Sequence, residues 1–294
     1  MELSVSERGY ELVGQSPADW EQIEDQREVS QVLARLQNAT RTAVYECPQL
    51  YELAYPGYPG DRDYYLSQTQ AGRVLYLGVG TGRIFLPMAA QNPQASGVEY
   101  SPEMCRVLQS RQPQIADRLY ECDAAETPVA AGSLDTVVAP YSFLQVAGRE
   151  RMPELLARVH EWLKPGGRFL TDTFSPYAIP FRRPGLETSV RQIGAQTRVA
   201  IYVLYDHLAQ RMRELALIEQ QDEPARVLDM PLEYYFPREV VDALGRAGFD
   251  PIDVQGGFDG QPFDPVASDV VVYQAVKPHN GQAASTNGAH ASRR

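Results

Sequence analysis

A glycine-rich turn constrains the fold of this chain more than any other feature. The apolar run Val74–Leu77 is followed at once by Gly78-Val79-Gly80-Thr81-Gly82-Arg83. Glycine is needed where a backbone turns sharply and approaches a ligand closely, so the pattern predicts a buried strand, a tight turn and the start of a helix. The turn alone does not define the ligand, because dinucleotide-binding proteins use a similar one.

Short apolar runs and helical patterns alternate after Arg73. The runs predict strands at 74–77, 96–99, 119–122, 136–139 and 168–173. Helical patterns separate these strands at 83–91, 102–109 and 149–163. Such alternation predicts an α/β fold with a doubly wound, mostly parallel sheet that has helices on both faces.

The pattern changes after Phe174. Runs at 198–206 and 211–219 predict two strands joined by a short turn, and 232–236 predicts a third. Because no helical pattern lies between them, they are expected to form an antiparallel patch beside the main sheet. A helix at 237–247 and strands at 252–255 and 270–276 complete the predicted domain.

Two acidic positions follow the turn along the chain. Glu99 ends the next predicted strand, 21 residues beyond Gly78, where a carboxylate can accept both hydroxyls of a ribose. Asp123 and Ala124 follow the third strand. There the Asp123 carboxylate can accept a hydrogen bond from an adenine amino group, and the backbone amide of Ala124 can donate one to the adenine ring. The ends of three successive strands therefore predict a nucleoside site. Arg83 stands in place of the third glycine of G-x-G-x-x-G, which disfavours a dinucleotide.

The order and spacing of these segments resemble those of a class I S-adenosylmethionine (SAM)-dependent methyltransferase from a bacterial small-molecule branch. The matching segments are 74–83, 97–104, 123–124, 134–139, 163–169, 234–239, 247–249 and 257–264, within residues 45–277. The resemblance implies a Rossmann-like, seven-stranded sheet whose last strand is antiparallel, with SAM as cofactor. The residues it implies for cofactor binding are Tyr51, Gly78, Val79, Gly80, Thr81, Gly82, Arg83, Glu99, Tyr100, Ser101, Met104, Asp123, Ala124, Pro140 and Tyr141.

The resemblance also suggests how the chain is divided. The first 70 residues carry helical patterns, including a capped start at Ser16-Pro17 and a long stretch to Ala43, before a Tyr/Pro/Gly-rich loop at 51–60. The predicted division is a helical N-terminal lid (1–70), a SAM-binding α/β core (71–175), an antiparallel insertion over the substrate (176–236), the C-terminal part of the core sheet (237–277) and a polar, disordered tail (278–294).

One position departs from the family pattern. The family usually has an acid two residues before the first glycine, where it helps to hold the amino group of the methionine part, whereas this chain has Tyr76. A tyrosine hydroxyl accepts that hydrogen bond more weakly than a carboxylate. Tyr76 therefore keeps open an alternative, a non-catalytic SAM-binding subunit that regulates or accompanies another protein.

The chemistry of methyl transfer asks little of a recognisable catalytic motif. The sulfonium methyl is already activated, so the enzyme mainly positions a nucleophile in line, and a base is needed only if that nucleophile arrives protonated. The loop at 140–145 borders the methionine end in the resembling enzymes. Tyr141 and Gln145 are therefore candidate catalytic residues that orient the acceptor, the alternative being loop packing or cofactor contact alone. Tyr51 and the pair Tyr64-Tyr65 are candidates for covering the cofactor.

Composition narrows the set of partners. A net charge of −11 without a long basic run argues against nucleic acid and is compatible with a cationic or amine acceptor. No stretch approaches the ~18–20 apolar residues that cross a membrane, and the first residues lack the profile of a signal peptide, so a cytoplasmic location is expected. The three cysteines fit neither a disulfide framework nor a zinc site, and no metal is expected.

Taken together, these features predict methyl transfer to nitrogen or oxygen of a small molecule or a peptide end. A nicotinamide-dependent oxidoreductase is the less favoured alternative, since it shares the glycine turn and the ribose acid. The identity of the acceptor stays open, as does the question whether the chain forms a homodimer.

Overall fold

The fold is organised around Val74–Leu77, a strand in which all four residues are buried. Both faces of such a strand must be covered, which places helices above and below the sheet. The computed structural model describes residues 32, 34–179 and 189–279, together with the backbone alone of 2–6 and 9–13.

Within the described residues, seven of the strands form the main sheet. All strands are β1 Glu2–Ser6, β2 Gly9–Val13, β3 Thr40–Ala43, β4 Val74–Leu77, β5 Ala95–Glu99, β6 Leu119–Glu121, β7 Leu134–Ala139, β8 Leu163–Phe174, β9 Ser189–Ile193, β10 Thr197–Asp206, β11 Arg211–Gln220, β12 Arg226–Glu233, β13 Ile252–Gln255 and β14 Val270–Val276. The main sheet has the order β13-β14-β8-β7-β4-β5-β6. Strands β4 to β8 run parallel, whereas β14 is antiparallel to β8 and β13. The predicted fold class is confirmed.

Helices cover both faces of this sheet. The α-helices whose two ends are described are α1 Pro48–Ala54, α2 Asp61–Gln68, α3 Phe85–Gln91, α4 Pro102–Arg111, α5 Phe143–Ala147, α6 Met152–Trp162 and α7 Pro237–Arg246, of which α1 packs against the second sheet. Leu75 and Leu77 of β4 pack in one core with α6 and α7. Val74 and Tyr76 point the other way and pack with α2 and α3. The period of two along β4 thus assigns its residues to two cores, one on each side of the sheet.

A second sheet has the strand order β3-β12-β11-β10-β9. Its strands are antiparallel, except that β3 runs parallel to β12. One face, here called the inner face, packs against Leu50 of α1, against Tyr55 at the end of that helix and against Tyr141, which follows β7. The other face packs around Val32 and Leu36. The inner face therefore lies over the carboxyl end of β7 and over α1.

The prediction of a helical N-terminal segment is wrong in three places. β1 and β2 pair as an antiparallel hairpin, and β3 occupies the end of the predicted long helix. β3 forms because residues 40–43 pair with 226–229, far along the chain, and a local pattern does not reveal such pairing. Residues 34–38 are helical, as expected. Residues 16–31, which hold most of the predicted helix, lie outside the described residues.

Other predicted boundaries also move. α1 occupies part of the predicted loop at 51–60, with Pro48 in its first turn. β12 ends at Glu233 rather than spanning 232–236, because its pairing with β11 runs from Arg226 to Glu233, and β9 was not predicted. Residues 280–294 of the predicted tail lie outside the described residues. No helix in the described part of the chain has the length and apolar character needed to cross a bilayer.

Candidate functional site

The glycine turn is built for close approach of a ligand. Gly78, Gly80 and Gly82 all have positive φ angles, of 73°, 56° and 94°. A Cβ on Gly78 or Gly82 would meet neighbouring side chains within 3 Å, whereas a Cβ on Gly80 would meet nothing within 4 Å. Gly78 and Gly82 therefore allow tight packing, and Gly80 leaves open space beside the backbone.

Glu99 lies beside this turn with its carboxylate held by backbone amides. Its oxygens accept hydrogen bonds from the amides of Gly80 at 2.7 Å, Tyr100 at 2.9 Å and Ser101 at 2.9 Å. Burial raises the pKa of Glu99, and the three amides act in the opposite direction. A carboxylate has about four acceptor positions, so Glu99 is fixed in place and retains capacity for a ligand hydroxyl.

The third strand end carries Asp123 and Ala124 as predicted, with one addition. Asp123 Oδ1 accepts from the amide of Ala125 at 2.9 Å, and Oδ2 accepts from Arg151 at 2.5 Å. Ala124 begins a short 3₁₀ turn. Arg151 is more than half exposed, so its pair with Asp123 lies at the rim of the sheet. An adenine ring placed here would share the carboxylate with Arg151.

Three predicted cofactor contacts after Glu99 have different surroundings. Tyr100 is 74% exposed, which leaves its ring at the open edge. Ser101 caps α4, since its Oγ accepts from the amide of Met104 at 3.2 Å and donates to the carbonyl of Tyr45 at 2.9 Å. Met104 is fully buried beneath the helix start. Ser101 and Met104 therefore shape the edge from below, through packing and capping.

A cavity of about 180 Å³ opens at the glycine turn. The core sheet contributes the strand end and the turn, and α1 with the loop after it contributes an opposing aromatic wall. The lining residues are Tyr51, Glu52, Tyr55, Pro56, Tyr76, Gly78, Val79, Gly80, Thr81, Arg83 and Tyr141. Tyr51, Tyr141 and most of the predicted glycine-turn residues are thus brought together.

α1 is fastened to the turn by a polar network. Glu52 accepts from the hydroxyl of Thr81 at 2.5 Å and from both terminal nitrogens of Arg111 at 2.6 and 2.9 Å. Arg111 also donates to the carbonyl of Thr81 at 3.0 Å. Hydrogen bonds from Arg111 are the main reason that the pKa of Glu52 is lowered. The network holds the aromatic wall of α1 against the glycine turn.

Arg83 enters the cavity paired with a buried acid. Its guanidinium forms a two-pronged ion pair with Asp61 at the start of α2, and Asp61 is 2% exposed. The guanidinium also lies 5.7 Å from the centre of the Tyr141 ring, a cation–π geometry. Gly57 makes room for it, since a Cβ there would meet the guanidinium carbon at 2.2 Å.

Tyr76 lies in the cavity wall at the family's usual acid position. It is 5% exposed and packs edge-to-face on Phe85, with ring centres 6.0 Å apart. Burial raises the pKa of Tyr76, and the nearby charge of Arg83 opposes that shift. The side chain is therefore a neutral phenol at neutral pH.

The loop after β7 holds two residues in an unusual conformation. Tyr141 and Ser142 both have φ of 59°, a region that costs non-glycine residues about 1–2 kcal/mol each. Asp172 accepts from both of their amides, at 2.9 and 3.0 Å, and from the hydroxyl of Tyr65 at 2.6 Å. Asp172 is fully buried, and burial raises its pKa to about 6 against the effect of these donors. The buried carboxylate thus fixes the turn that presents Tyr141.

Some predicted site residues are placed elsewhere. Gln145 is fully buried, its side-chain carbonyl accepts from the amide of Phe174 at 3.1 Å, and it does not line the cavity. Pro140 is buried at the end of β7. Tyr64 and Tyr65 pack into the core of the main sheet with Phe258 rather than over the cofactor edge. In this structure Gln145 holds the backbone of β8, and its role in orienting the acceptor stays a prediction.

Sequence reasoning missed four acids that line the cavity or act on residues that line it: Glu52, Asp61, Asp172 and Glu214. Three of them act through long-range pairs with Arg111, Arg83 and the Tyr141 turn, which no local pattern shows. Glu214 leaves a visible signal, because it interrupts the alternating apolar positions Met212 and Ala216 of β11.

The sheet order with its antiparallel strand, the open glycine turn and the acid at the next strand end define a class I SAM-dependent methyltransferase fold. The comparisons agree. Residues 74–167 match a family model described as a methyltransferase domain. An uncharacterized methyltransferase of Mycobacterium bovis is 35% identical over 118 residues, which are 40% of this chain and 46% of that protein. The chain thus spans about half the length of the curated relatives it matches.

Solved structures share the fold over most of the chain. The CcbJ methyltransferase of Streptomyces caelestis matches with a TM-score of 0.70 and 20% identity, over 81% of this chain and 98% of that one. A SAM-bound amino pentose methyltransferase of Micromonospora echinaspora, involved in calicheamicin biosynthesis, has a TM-score of 0.57 and 21% identity, over 78% and 96%. Residues 74–167 therefore match a methyltransferase domain, and the chain shares the fold of SAM-dependent methyltransferases, whose cofactor is SAM.

Proposed function

We propose that this chain transfers a methyl group from SAM to a nitrogen or oxygen atom of a small molecule. The observation that carries the proposal is the continuity of one cavity, which joins the open glycine turn to Tyr141 and to the aromatic wall of α1. A methyl donor held at the turn and an acceptor held under the second sheet would meet at Tyr141.

The residues of the turn fit the cofactor. The open space at Gly80 admits a ligand against the backbone, and Glu99 retains acceptor capacity beside it. The enclosed volume of about 180 Å³ is below the ~300–1,000 Å³ of sites that enclose a whole ligand. We therefore assign the methionine end to the cavity and the nucleoside to the open edge between Glu99 and Asp123.

The side chains supply position more than acid–base chemistry at the cofactor. SAM, when bound, supplies a methyl group on a positively charged sulfur that leaves as a neutral thioether. Arg83 and Tyr76 line the cavity and would hold the methionine part of SAM, Arg83 through its guanidinium to the carboxylate and Tyr76 through its hydroxyl to the amino group. The Asp172-held turn keeps Tyr141 at the junction, where near-attack geometry is worth most.

A small acceptor suits this geometry better than a macromolecule. The inner face of the second sheet covers the carboxyl end of β7, so the acceptor side of the cavity is roofed. The amino pentose methyltransferase of similar fold acts on a small sugar, which supports the same class of acceptor here. A peptide end stays an alternative, since an extended terminus also fits under a roof.

The test compares ligands and turnover on the purified chain. Thermal shift and calorimetry with SAM, S-adenosylhomocysteine (SAH) and NAD should show binding of the first two only, and incubation with SAM and a panel of amines and alcohols should release SAH. A shift with NAD and none with millimolar SAM would overturn the proposal. SAM binding without SAH release across the panel would favour the non-catalytic subunit, the alternative that Tyr76 supports.

A further inference from the structure

Glu214 lies in the middle of the apolar inner face of the second sheet. Side chains at alternate positions of β11 share that face, and Met212 and Ala216 are buried there on either side of it. Across the sheet, Glu214 stands opposite Val203 of β10 and Met230 of β12. Both of these neighbours belong to the same apolar cluster. A carboxylate at this position interrupts a face that is otherwise built to exclude water.

Among the residues that the structure describes, no amide, hydroxyl or cation pairs with Glu214, and burial is the sole cause that raises its pKa, to about 7. Glu99 and Asp172, in contrast, each accept three hydrogen bonds. A buried carboxylate without donors costs free energy and is retained where a ligand satisfies it. Glu214 nevertheless keeps partial exposure.

A second unsatisfied group lies on the same side. The hydroxyl of Tyr55 is buried and has no hydrogen-bond partner among the described residues. Tyr55 lines the cavity at the glycine turn and belongs to the cluster packed on the inner face. After burial, the charge of Glu214 is the largest cause that raises the pKa of Tyr55, so the two groups face one space. They are not hydrogen-bonded to each other, so a ligand group with hydrogen-bond donors would satisfy both.

Aromatic rings surround that space. We call Tyr45, Tyr51, Tyr55, Tyr58 and Tyr141 the tyrosine cluster. Neighbouring ring centres in it lie 5.0–6.0 Å apart. The charge of Glu214 contributes to raising the pKa of four of these residues, Tyr45, Tyr55, Tyr58 and Tyr141. A carboxylate set among tyrosine rings, with a hydroxyl beside it, is the environment that ammonium groups prefer.

Other occupants explain these features less well. A neutral hydroxyl would not repay the cost of burying the carboxylate, because it brings no opposite charge. A divalent cation needs several oxygen or nitrogen ligands, and no group of three acids, histidines or cysteines able to hold a metal is found in the described part of the chain. A cationic nitrogen satisfies Glu214, Tyr55 and the rings together.

We propose that Glu214 binds the ammonium group of a small amine acceptor and takes up its proton, which makes nitrogen the atom that is methylated. This inference rests on the proposed function and names its acceptor class. In the step assigned to Glu214, an N–H bond of the ammonium breaks, its electron pair stays on nitrogen, and an O–H bond forms on the carboxylate. The freed lone pair is the nucleophile, and the proton leaves Glu214 to water when the product leaves. A carboxylate of raised pKa is the better proton acceptor.

The pH dependence follows from the groups that face this space. The titratable side chains that share the apolar cluster of the inner face, or whose pKa the charge of Glu214 raises, are those of Tyr45, Cys47, Tyr51, Tyr55, Tyr58, Tyr141 and Tyr205. Burial raises the pKa of each of these tyrosines above its ordinary value, so they stay neutral below pH 9. Arg191 donates to the carbonyls of Leu53 and Ala54. Amine binding should therefore strengthen as pH rises through about 7, and the Glu214→Gln variant should remove this pH dependence.

The test uses a matched pair of probes, cyclohexylammonium and cyclohexanol, which differ in charge and little in shape. Binding of each to the SAH-saturated chain is measured at pH 8 by saturation-transfer NMR. We expect wild type to bind cyclohexylammonium at least about tenfold more tightly than cyclohexanol, and this preference to fade toward pH 5.5. The Glu214→Gln variant should lose the preference and its pH dependence while SAH affinity stays within about twofold. The exposed Glu223→Gln variant on the following turn is the control and should keep both.

Stability gives a second, independent readout. If Glu214 serves the ligand rather than the fold, Glu214→Leu should unfold at a temperature no lower than wild type, because it removes an unpaired carboxylate from an apolar face. The inference is overturned if cyclohexylammonium does not bind, if wild type shows no preference for it, if Glu214→Gln retains the preference, or if both substitutions lower Tm. Failure of the proposed function would look different, since SAH itself would then not bind to wild type.

Discussion

The two sheets differ in how far the surrounding residues satisfy the hydrogen-bonding capacity of a buried acid. On the main sheet, Glu99 is satisfied by three backbone amides that the glycine turn and the start of α4 provide. On the second sheet, Glu214 receives no hydrogen bond from the described residues and sits among apolar neighbours. An acid fixed by the backbone shapes a site before the ligand binds, whereas an unsatisfied acid depends on the ligand for its hydrogen-bond partner. The first arrangement suits a constant cofactor and the second a particular acceptor.

The largest effect that we predict is a loss of cofactor affinity at the glycine turn. Gly80 and Gly132 both have positive φ, and a Cβ on either would meet nothing within 4 Å. Gly80→Ala and Gly132→Ala should therefore each cost about 1–2 kcal/mol of stability through backbone strain. Only Gly80→Ala should also raise the Kd of SAH, by about thirtyfold or more, since its methyl group enters the ligand's space. Calorimetry and urea unfolding on both variants measure the two effects. Equal Kd values for the two variants would show that the turn does not touch the cofactor.

The next effect is a loss of stability at the turn of Tyr141, which lies between the main sheet and the inner face of the second sheet. Asp172→Asn replaces a carboxylate that accepts from three donors with an amide whose nitrogen faces donors. We expect a loss of about 2–4 kcal/mol in the free energy of unfolding, measured with urea. Asp117→Asn, on an exposed residue, is the control. An Asp172→Asn variant as stable as this control would contradict the role given to the buried acid.

The smallest effect that we predict is a change in cofactor affinity at Tyr76. If the hydroxyl of Tyr76 holds the amino group of SAM, Tyr76→Phe should raise the Kd of SAM about three- to tenfold, the worth of one neutral hydrogen bond. Tyr273→Phe removes a similarly buried hydroxyl from the core away from the cavity and should leave that Kd unchanged. An unchanged Kd in Tyr76→Phe would mean that the hydroxyl is only part of the wall.

Sequence reasoning reached the cofactor edge because its parts are local. The strand, turn and helix around Gly78–Gly82 are contiguous, and a parallel α/β sheet brings Glu99 and Asp123 to the same edge in every such fold. The antiparallel last strand followed from the family resemblance. Positive φ at the three glycines is a consequence of the same local turn.

The acceptor side depends on pairings between distant segments, which is why it was missed. β3 is a strand because residues 40–43 reach 226–229, and the inner face exists because α1 packs across β10 to β12. The tyrosines show the same limit. The sequence pattern suggested both Tyr51 and the pair Tyr64-Tyr65 as residues that cover the cofactor. Only the packing shows that Tyr51 lines the cavity whereas the pair lies in the core of the main sheet. Glu214 was visible as an acid at an apolar position, but its lack of a partner is a property of the folded chain.

The most direct test of the account is a crossed titration of SAH into Glu99→Gln and Glu214→Gln by calorimetry. We predict that Glu99→Gln weakens SAH binding about thirtyfold or more, because it disturbs the amide-held carboxylate beside the turn. We also predict that Glu214→Gln leaves the Kd within about twofold of wild type. Equal weakening in both variants, or an unchanged Kd in Glu99→Gln, would contradict the division of the molecule into a cofactor edge and an acceptor face.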